Sequence, residues 1–198
     1  MRKIKTFIFK QLCDGKISCN PEVLEAVLEI AVEIAREGRE GRRIGTIFTV
    51  GDEKEVLARS RTLILDPLLG HPDEVKRVDN PDMRETIKEL AQLDGGFVIS
   101  GDGVVLSATR YFNATSTGLD LPLGLGGRHV AAASISKETK AIAIAVSESS
   151  VVRIFKNGSL VAEILPELWL LSKYDIHLKP PYTEKTVQGM AIITKEEA

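Results

Sequence analysis

The sequence predicts an α/β protein whose mixed β-sheet is surrounded by helices, and three observations point to this class. Short apolar runs of strand character alternate with amphipathic helices along the chain, an arrangement typical of α/β folds. Two pairs of these runs are joined by short glycine-containing turns, and such hairpins place antiparallel strands in the sheet. The 198 residues, of which 43% are hydrophobic, suit one large domain that builds its core without a metal or disulfide.

The helices are marked by their end signals. Asn20 supplies an N-cap side chain, proline follows at the first helical position, and the apolar face continues to a stop at Gly38. The same asparagine–proline signal at Asn80 predicts a second helix that runs through Leu93. A third, short helix is predicted over Val130–Ile135.

The strands are predicted from short apolar runs, two of them as buried strands and four as the arms of two hairpins. In the second hairpin, the asparagine–glycine pair at Asn157 favours a two-residue type I′ turn. The tail is predicted to add an edge strand over Val187–Thr194. The other predicted strands are Ile44–Val50, Gly96–Ser100, Val104–Ala108, Ala141–Val146, Val151–Lys156 and Ser159–Ile164. The elements predict a domain over residues 20–170, with extensions over 1–19 and 171–198.

The composition excludes several classes of protein. The 26 basic and 28 acidic side chains give a formal charge of −2, so the chain does not hold nucleic acid by bulk charge. No run approaches the ~18 apolar residues that span a bilayer. The residues after Met1 lack the apolar region of a signal peptide. We therefore expect a cytoplasmic protein without a membrane or nucleic-acid partner.

A few residues invite a functional interpretation that the sequence does not favour. Cys13 and Cys19 match no zinc spacing and are interpreted as reduced structural thiols, with a disulfide or redox pair as the alternative. Four arginines between positions 36 and 43 are interspersed with glutamates, which indicates a solvated helix end rather than a nucleic-acid patch. His71 and His177 are expected in surface loops, and Trp169 is expected to be a packing anchor.

Three places carry residue types suited to chemistry. Asp94 precedes two glycines at a helix-to-strand junction, where a carboxylate either caps a turn or serves a divalent metal or a hydroxyl proton. Gly124–His129 is a glycine-rich run before a helix, so free N–H groups with Arg128 and His129 suit an anion, unless the loop is only structural. Ser147–Ser150 follows a buried strand, as either a ligand-binding end or an ordinary turn.

Taken in order, these places resemble the motifs of the diadenylate cyclase domain, the DisA N-terminal type that makes cyclic di-AMP from ATP. The family's Asp-Gly-Ala motif is similar to Asp94-Gly95-Gly96, and its Leu-Pro-Leu segment to Leu121-Pro122-Leu123. Its Gly-Thr-Arg-His-Arg motif is similar to Gly126–Val130, and its Ser-Glu-Glu-Thr motif to Ser147–Ser149. The likeness covers roughly residues 21–169, has an archaeal character, and implies the family's mixed sheet surrounded by helices.

The resemblance implies a role for each matched residue. Asp94 is implied to serve the metal and the ribose 3′-hydroxyl, while Arg128 and His129 hold the triphosphate. The implied metal ligands are Asp94, His129 and Glu148, with Mn²⁺ expected and Mg²⁺ or Co²⁺ as alternatives. The implied nucleotide contacts are Gly95, Gly96, Leu121, Gly126, Gly127, Ser147 and Glu148.

The implied reaction condenses two ATP into cyclic di-AMP and releases two pyrophosphates. Each 3′-hydroxyl attacks the α-phosphate of the other ATP, with positioning and charge neutralisation supplying the rate. A domain with one pocket makes a symmetric product from two substrates when two pockets face each other across a twofold axis. We therefore expect a homodimer or higher homo-oligomer with facing active sites.

Two departures from the family motif leave alternatives open. Val130 stands where the family has a second arginine, and Gly127 where it has threonine. Loss of a cation weakens triphosphate binding unless another arginine, such as Arg110 or Arg153, reaches the same phosphates. The alternative function is a nucleotide-binding or cyclic-dinucleotide-sensing domain without catalysis. A more distant one is an interaction domain that docks through the apolar helix after Asn20.

Overall fold

A computed structural model describes residues 12–13, 19–115, 117–167, 182–187 and 190–195. Four α-helices have both ends in these segments: α1 Pro21–Glu37, α2 Glu53–Ala58, α3 Pro81–Leu90 and α4 Gly127–Glu138. The strands there are β1 Thr46–Val50, β2 Ser60–Thr62, β3 Gly96–Ile99, β4 Val105–Phe112, β5 Ile142–Val146, β6 Val152–Lys156, β7 Ser159–Ile164, β8 Tyr182–Val187 and β9 Met190–Lys195.

Seven strands form one mixed sheet in the order β2-β4-β3-β1-β5-β6-β7. Strands β1 and β3 are parallel, and the other neighbours are antiparallel. The predicted hairpins are present as β3–β4 and β6–β7, and the predicted fold class is confirmed. The tail corrects a prediction: Val187 ends β8, Met190 begins β9, and the two pair in a separate two-stranded sheet instead of forming one edge strand.

Helices pack on both faces of the main sheet. The side chains of β5 point alternately to the two faces, and their residue types show how the sequence determines this packing. Ile142, Ile144 and Val146 belong to the core cluster that contains the apolar face of α1. Ala143 and Ala145, which point to the opposite face, belong to the cluster that contains α4. Because alanine is small, α4 lies close to the sheet. The first turn of α4 is thereby held at one sheet edge.

The helix ends follow the predicted signals, with one correction that matters for the site. The Asn20 side chain accepts a backbone N–H at 2.9 Å, and Gly38 caps the C-terminal end of α1 with a φ of 57°, which suits glycine. Helix α3 ends at Leu90, three residues earlier than predicted. Helix α4 extends from Gly127 to Glu138 and is longer than predicted. Residues 127–129 therefore form its first turn rather than a loop.

The two cysteines also correct an expectation, because Cys13 and Cys19 form a disulfide with Cα atoms 5.6 Å apart. Both pack partly buried against the α1 core cluster, which brings the two thiols together ahead of the helix. No helix in the described part of the chain is long and apolar enough to cross a membrane. His177 and Trp169 lie outside the described residues.

One edge of the sheet gathers several chain segments that are far apart in sequence. Because β1 and β3 are parallel, the residues before both strands lie at the same edge. Strand β5 runs antiparallel to β1 and pairs Val146 with Thr46, so its end reaches that edge too. Strand β4 returns there, since Arg110 pairs with Gly96. The segments at this edge therefore include Asp94-Gly95, Gly45 and the turn after β5.

Candidate active site

Two adjoining cavities open at this edge of the sheet. The larger, about 720 Å³, is bordered by Asp94 and Gly95, by the first turn of α4, and by apolar side chains of β1 and β4. The smaller, about 190 Å³, is bordered mainly by charged side chains. Asp94 and Arg128 line both cavities. Two residues that are 34 positions apart in the sequence therefore face the same space.

The Asp94 carboxylate is held out toward solvent by a closely packed glycine turn. A Cβ on Gly95, whose φ is 105°, would lie 2.7 Å from the backbone of Thr109, and one on Gly96 would lie 2.5 Å from the carbonyl oxygen of Ile47. Glycine is therefore required at both positions. Asp94 is exposed and forms no hydrogen bond or ion pair within the described residues. Its carboxylate oxygens are thus available to a ligand.

Arg128, which lines both cavities with Asp94, forms an exposed ion pair with Glu148. Its Nη1 donates to Oε1 of Glu148 at 2.8 Å, and the two side chains are 41% and 63% exposed. The guanidinium lies directly over Gly45, where a Cβ would come within 2.4 Å of Nη1. An ion pair this exposed contributes about 0–1 kcal/mol. A phosphate can therefore replace Glu148 as the partner of Arg128 at small cost.

His129 is placed differently from Arg128, although the two are adjacent in sequence. Its ring is buried and lies tilted beside the ring of Phe155, with the two centroids 6.3 Å apart. Its Nε2 lies 3.1 Å from Nη1 of Arg153, and because arginine only donates, Nε2 is the acceptor and the proton sits on Nδ1. That buried Nδ1 has no hydrogen-bond partner within the described residues. His129 lines neither cavity.

The environment of His129 holds it neutral. Burial lowers the pKa of His129, and the nearby guanidinium groups of Arg153 and Arg128 lower it further. A neutral, buried ring in the first turn of α4 suits a residue that packs in the core and thereby positions the backbone of the neighbouring Arg128. The structure therefore brings Asp94 together with Arg128, but it does not bring His129 to the same space.

The remaining expected contacts are divided in the same way. Gly126 is the N-cap of α4 without a side-chain cap, and Gly127, the first residue of the helix, lines the larger cavity. Leu121 is partly buried and packs against the α4 core cluster, away from both cavity linings. Ser147 accepts a hydrogen bond from the Ser149 hydroxyl at 3.0 Å and also lies outside both linings.

A divalent metal ion fits the site only together with a ligand that supplies oxygen atoms. Within the described residues, no three histidine, cysteine, aspartate or glutamate side chains are grouped to hold a metal. Asp94, His129 and Glu148 therefore do not form a preassembled three-ligand site in one chain. Mg²⁺-like ions beside nucleotides are held by one or two carboxylates plus phosphate oxygens. The unpartnered carboxylate of Asp94 fits that kind of coordination.

The structure adds residues to the site that the sequence motifs do not mark. Gly45 and Arg43 line the smaller cavity. Both precede β1, and the parallel pairing of β1 with β3 is the signal that places them beside Asp94. Arg110, expected only as a substitute cation, lines the larger cavity, where its Nε and Nη2 donate to Ser60 and to the carbonyl oxygen of Leu57.

Comparison with known proteins agrees with the fold and with the family that the motifs resemble. The family model described as "DisA bacterial checkpoint controller nucleotide-binding" matches residues 33–160. A protein named diadenylate cyclase from Methanocaldococcus jannaschii is 41% identical over 169 residues, which are 85% of this chain and 53% of that protein. A diadenylate cyclase from Haloferax volcanii is 40% identical over 153 residues, 76% of this chain and 55% of that protein.

The chain spans about half the length of these curated relatives. Among solved structures, a crystal structure of a DacA double mutant from Staphylococcus aureus matches with a TM-score of 0.50 at 20% identity. That match covers 77% of this chain and 94% of the DacA chain. At this identity the likeness shows a common fold.

Proposed function

Because the chain belongs to the family of DisA-type nucleotide-binding domains, we propose that it is a diadenylate cyclase, which condenses two ATP into cyclic di-AMP and two pyrophosphates. One observation carries the proposal: the carboxylate of Asp94 and the guanidinium of Arg128 line the same two cavities. The first turn of α4 lies beside them with Gly127 facing the cavity. This arrangement suits a nucleotide whose phosphates meet cations and helix N–H groups while its ribose meets a carboxylate.

We assign the nucleoside to the larger cavity. Its lining includes apolar and aromatic side chains, among them Ile47, Tyr111 and Phe112. Its volume lies in the ordinary range for small-molecule sites, about 300–1,000 Å³. The triphosphate then extends from this cavity toward Arg128 and the smaller cavity.

In the proposed reaction, the 3′-oxygen of one ATP forms a bond to the α-phosphorus of the other. The bond from that phosphorus to the oxygen bridging to the β-phosphate breaks, and pyrophosphate leaves with its negative charge. Asp94 orients the 3′-hydroxyl and accepts its proton, and Arg128 faces the phosphates. A divalent ion, proposed as Mn²⁺ and bound by Asp94 with phosphate oxygens, would neutralise the triphosphate charge.

A facing homodimer completes the proposal, because one cavity per chain holds one nucleotide. The loop after β2 has Leu63 in the wall of the larger cavity, and its next apolar side chains point to solvent. Ile64, Leu65 and Leu69 are 93%, 64% and 81% exposed. Burying such side chains against a second copy is favourable, and it would place the two cavities near each other. As an enzyme that consumes ATP, the protein is proposed to act in the cytoplasm.

A second function is favoured by one specific observation. Val130 lines the larger cavity, at the position where the resembling family has a second arginine. A site with fewer cations fits a domain that binds ATP or a cyclic dinucleotide without turning it over. Unlike this alternative, the cyclase proposal requires the free carboxylate of Asp94.

The test is incubation of the full chain with ATP and Mn²⁺, followed by separation of the nucleotides by chromatography and mass spectrometry. The cyclase proposal expects cyclic di-AMP and pyrophosphate in a one-to-two ratio. Labelled ATP that binds without turnover would select the non-catalytic function. Absence of nucleotide binding would reject both functions and leave an interaction domain.

A further inference from the structure

We propose that Arg43, assisted by Arg42, forms a polyphosphate subsite that binds the β- and γ-phosphates of the substrate and the departing pyrophosphate. The inference rests on the proposed function and deepens it, since it assigns the end of the site that receives the leaving group. It also identifies positive charge that compensates for Val130.

The loop that carries these arginines is held in place at both ends. Arg39 and Arg42 exchange two backbone hydrogen bonds of 3.0 and 2.8 Å, and the two residues between them, Glu40 and Gly41, have φ of 50° and 73°. Positive φ at both positions is the geometry of a tight type I′ turn. The Arg39 guanidinium is anchored by Glu89 on α3 at 2.8 Å. The backbone at positions 42 and 43 is therefore well defined.

Arg43 points from this loop to the turn after β5. Its Nη1 donates to the hydroxyl of Ser150 at 2.6 Å and lies 3.4 Å from the carbonyl oxygen of Glu148. The carboxylate of the same Glu148 accepts from Arg128. One turn thus orients two guanidinium groups, and both line the smaller cavity together with Asp94.

The lining of the smaller cavity carries four arginines, Arg39, Arg42, Arg43 and Arg128, against three acids, Glu40, Asp94 and Glu148. Arg39 and Arg128 each have carboxylate partners. In the segments that the structure describes, the side chains of Arg42 and Arg43 form no ion pair, and both are exposed. Guanidinium groups in a concave site without acid partners suit the multiple negative oxygens of a polyphosphate. The same groups would stabilise the charge that develops on pyrophosphate as it leaves.

Two other arginines, Arg110 and Arg153, are less suited to this role because two nitrogens of each guanidinium have hydrogen-bond partners, against one for Arg43. Nε of Arg110 donates to the Ser60 hydroxyl, and its Nη2 donates to the carbonyl oxygens of Leu57 and Ser60. Arg153 contacts His129 through Nη1 and the Glu163 carboxylate through Nε at 2.6 Å. Arg110 lines the larger cavity, which we assign to the nucleoside, and Arg153 lines neither cavity. Arg43 is therefore the better candidate for the polyphosphate.

The experiment compares the binding of adenosine, ATP and inorganic pyrophosphate to the full chain and to Arg43→Gln by calorimetry. We expect the affinity for ATP and pyrophosphate to fall about tenfold, equivalent to about 1.4 kcal/mol, while that for adenosine changes less than about twofold. Arg43→Lys keeps the charge without the fork and should recover part of the loss. The matched control is Arg77→Gln, because Arg77 pairs with Asp79 and contacts the β3–β4 turn at the other end of the sheet.

The outcomes separate the subsite from the proposed function. Equal losses for adenosine and ATP would overturn the subsite, because they indicate a change in the fold rather than a lost phosphate contact. Unchanged ATP and pyrophosphate affinity in Arg43→Gln would overturn it as well. If the native chain binds ATP without forming cyclic di-AMP, the cyclase proposal fails, while a selective loss of ATP and pyrophosphate binding still supports the subsite.

Discussion

Gly45→Ala tests how the position of the Arg128 guanidinium depends on the glycine over which it lies. An added Cβ would lie 2.4 Å from Nη1, 2.7 Å from Cζ and 3.0 Å from Nε of Arg128. Ordinary contact begins near 3.4 Å, so Nη1 must move by about 1 Å. Nη1 of Arg128 lies 2.8 Å from Oε1 of Glu148, and a shift of this size is enough to break or bend that hydrogen bond.

The expected effects on stability and on binding differ in size. Gly45 lies outside the positive-φ residues, so alanine gains about 0.4–1 kcal/mol from a more restricted unfolded chain. The exposed ion pair that it disturbs is worth about 0–1 kcal/mol. The free energy of unfolding should therefore change by less than about 1 kcal/mol. A charge-assisted hydrogen bond to phosphate is worth about 1.5–3 kcal/mol, so ATP affinity should fall about 10- to 100-fold.

The assay is a double-mutant cycle in ATP affinity, with urea unfolding measured on each variant. Gly45→Ala acts through Arg128, so in the Arg128→Gln background it should cost almost nothing further. Additive losses from the two substitutions would refute the reasoning. So would a loss of more than about 2 kcal/mol in unfolding free energy, because it would show that the added methyl displaces backbone instead of the end of a flexible side chain.

Four further predictions concern the site, the core and the interface. Asp94→Asn should abolish cyclic di-AMP formation while circular dichroism stays unchanged; turnover near the native rate would remove Asp94 from the mechanism. Val130→Arg adds a cation to the larger cavity and should give equal or faster turnover in the chromatographic assay, whereas a large drop would contradict a shortage of charge. Folding lowers the pKa of His129, so the stability that it contributes is present above the unfolded pKa of about 6.5. That stability is lost as the pH falls toward the folded pKa, by at most about 1.4 kcal/mol per pH unit. In urea unfolding from pH 7 to 5, the free energy of unfolding should therefore fall less steeply with pH in His129→Gln than in the native chain. Ile64→Glu should weaken the dimer in light scattering with ATP and lower specific activity, while Val161→Glu on the far edge strand should do neither; a monomer that makes cyclic product would contradict facing sites.

The parts of the fold that depend on local signals are predictable from the sequence. Asn20 and Asn80 start helices because their side chains cap the backbone, a preference that acts over two residues. The turn at Asn157, with φ of 52° followed by 80° at Gly158, has the positive φ angles that asparagine–glycine favours. The order of the motifs likewise indicates the family, because that order is a property of the chain itself and does not depend on how distant segments pack.

Features that depend on contacts between distant segments are not predictable in this way. Nothing in the residues of β1 and β3 marks them as parallel neighbours, so the arginines before β1 are interpreted from sequence as a solvated helix end. The helical start at Gly127 turns adjacent side chains about 100° apart, which sends Arg128 to the cavities and His129 into the core. The disulfide between Cys13 and Cys19 depends on how their segment packs against α1.

Gly96 at the start of β3 and Gly45 before β1 have different roles: the first is required by the strand pairing and the second by the Arg128 side chain. At Gly96 an added Cβ would meet the carbonyl oxygen of Ile47 at 2.5 Å, within the parallel β1–β3 ladder itself. That atom cannot move without shifting the register that aligns Asp94 with the residues before β1. At Gly45 the clash involves only the end of Arg128. Gly96 therefore maintains the geometry that brings the segments together, whereas Gly45 leaves room for the Arg128 guanidinium, which faces both cavities.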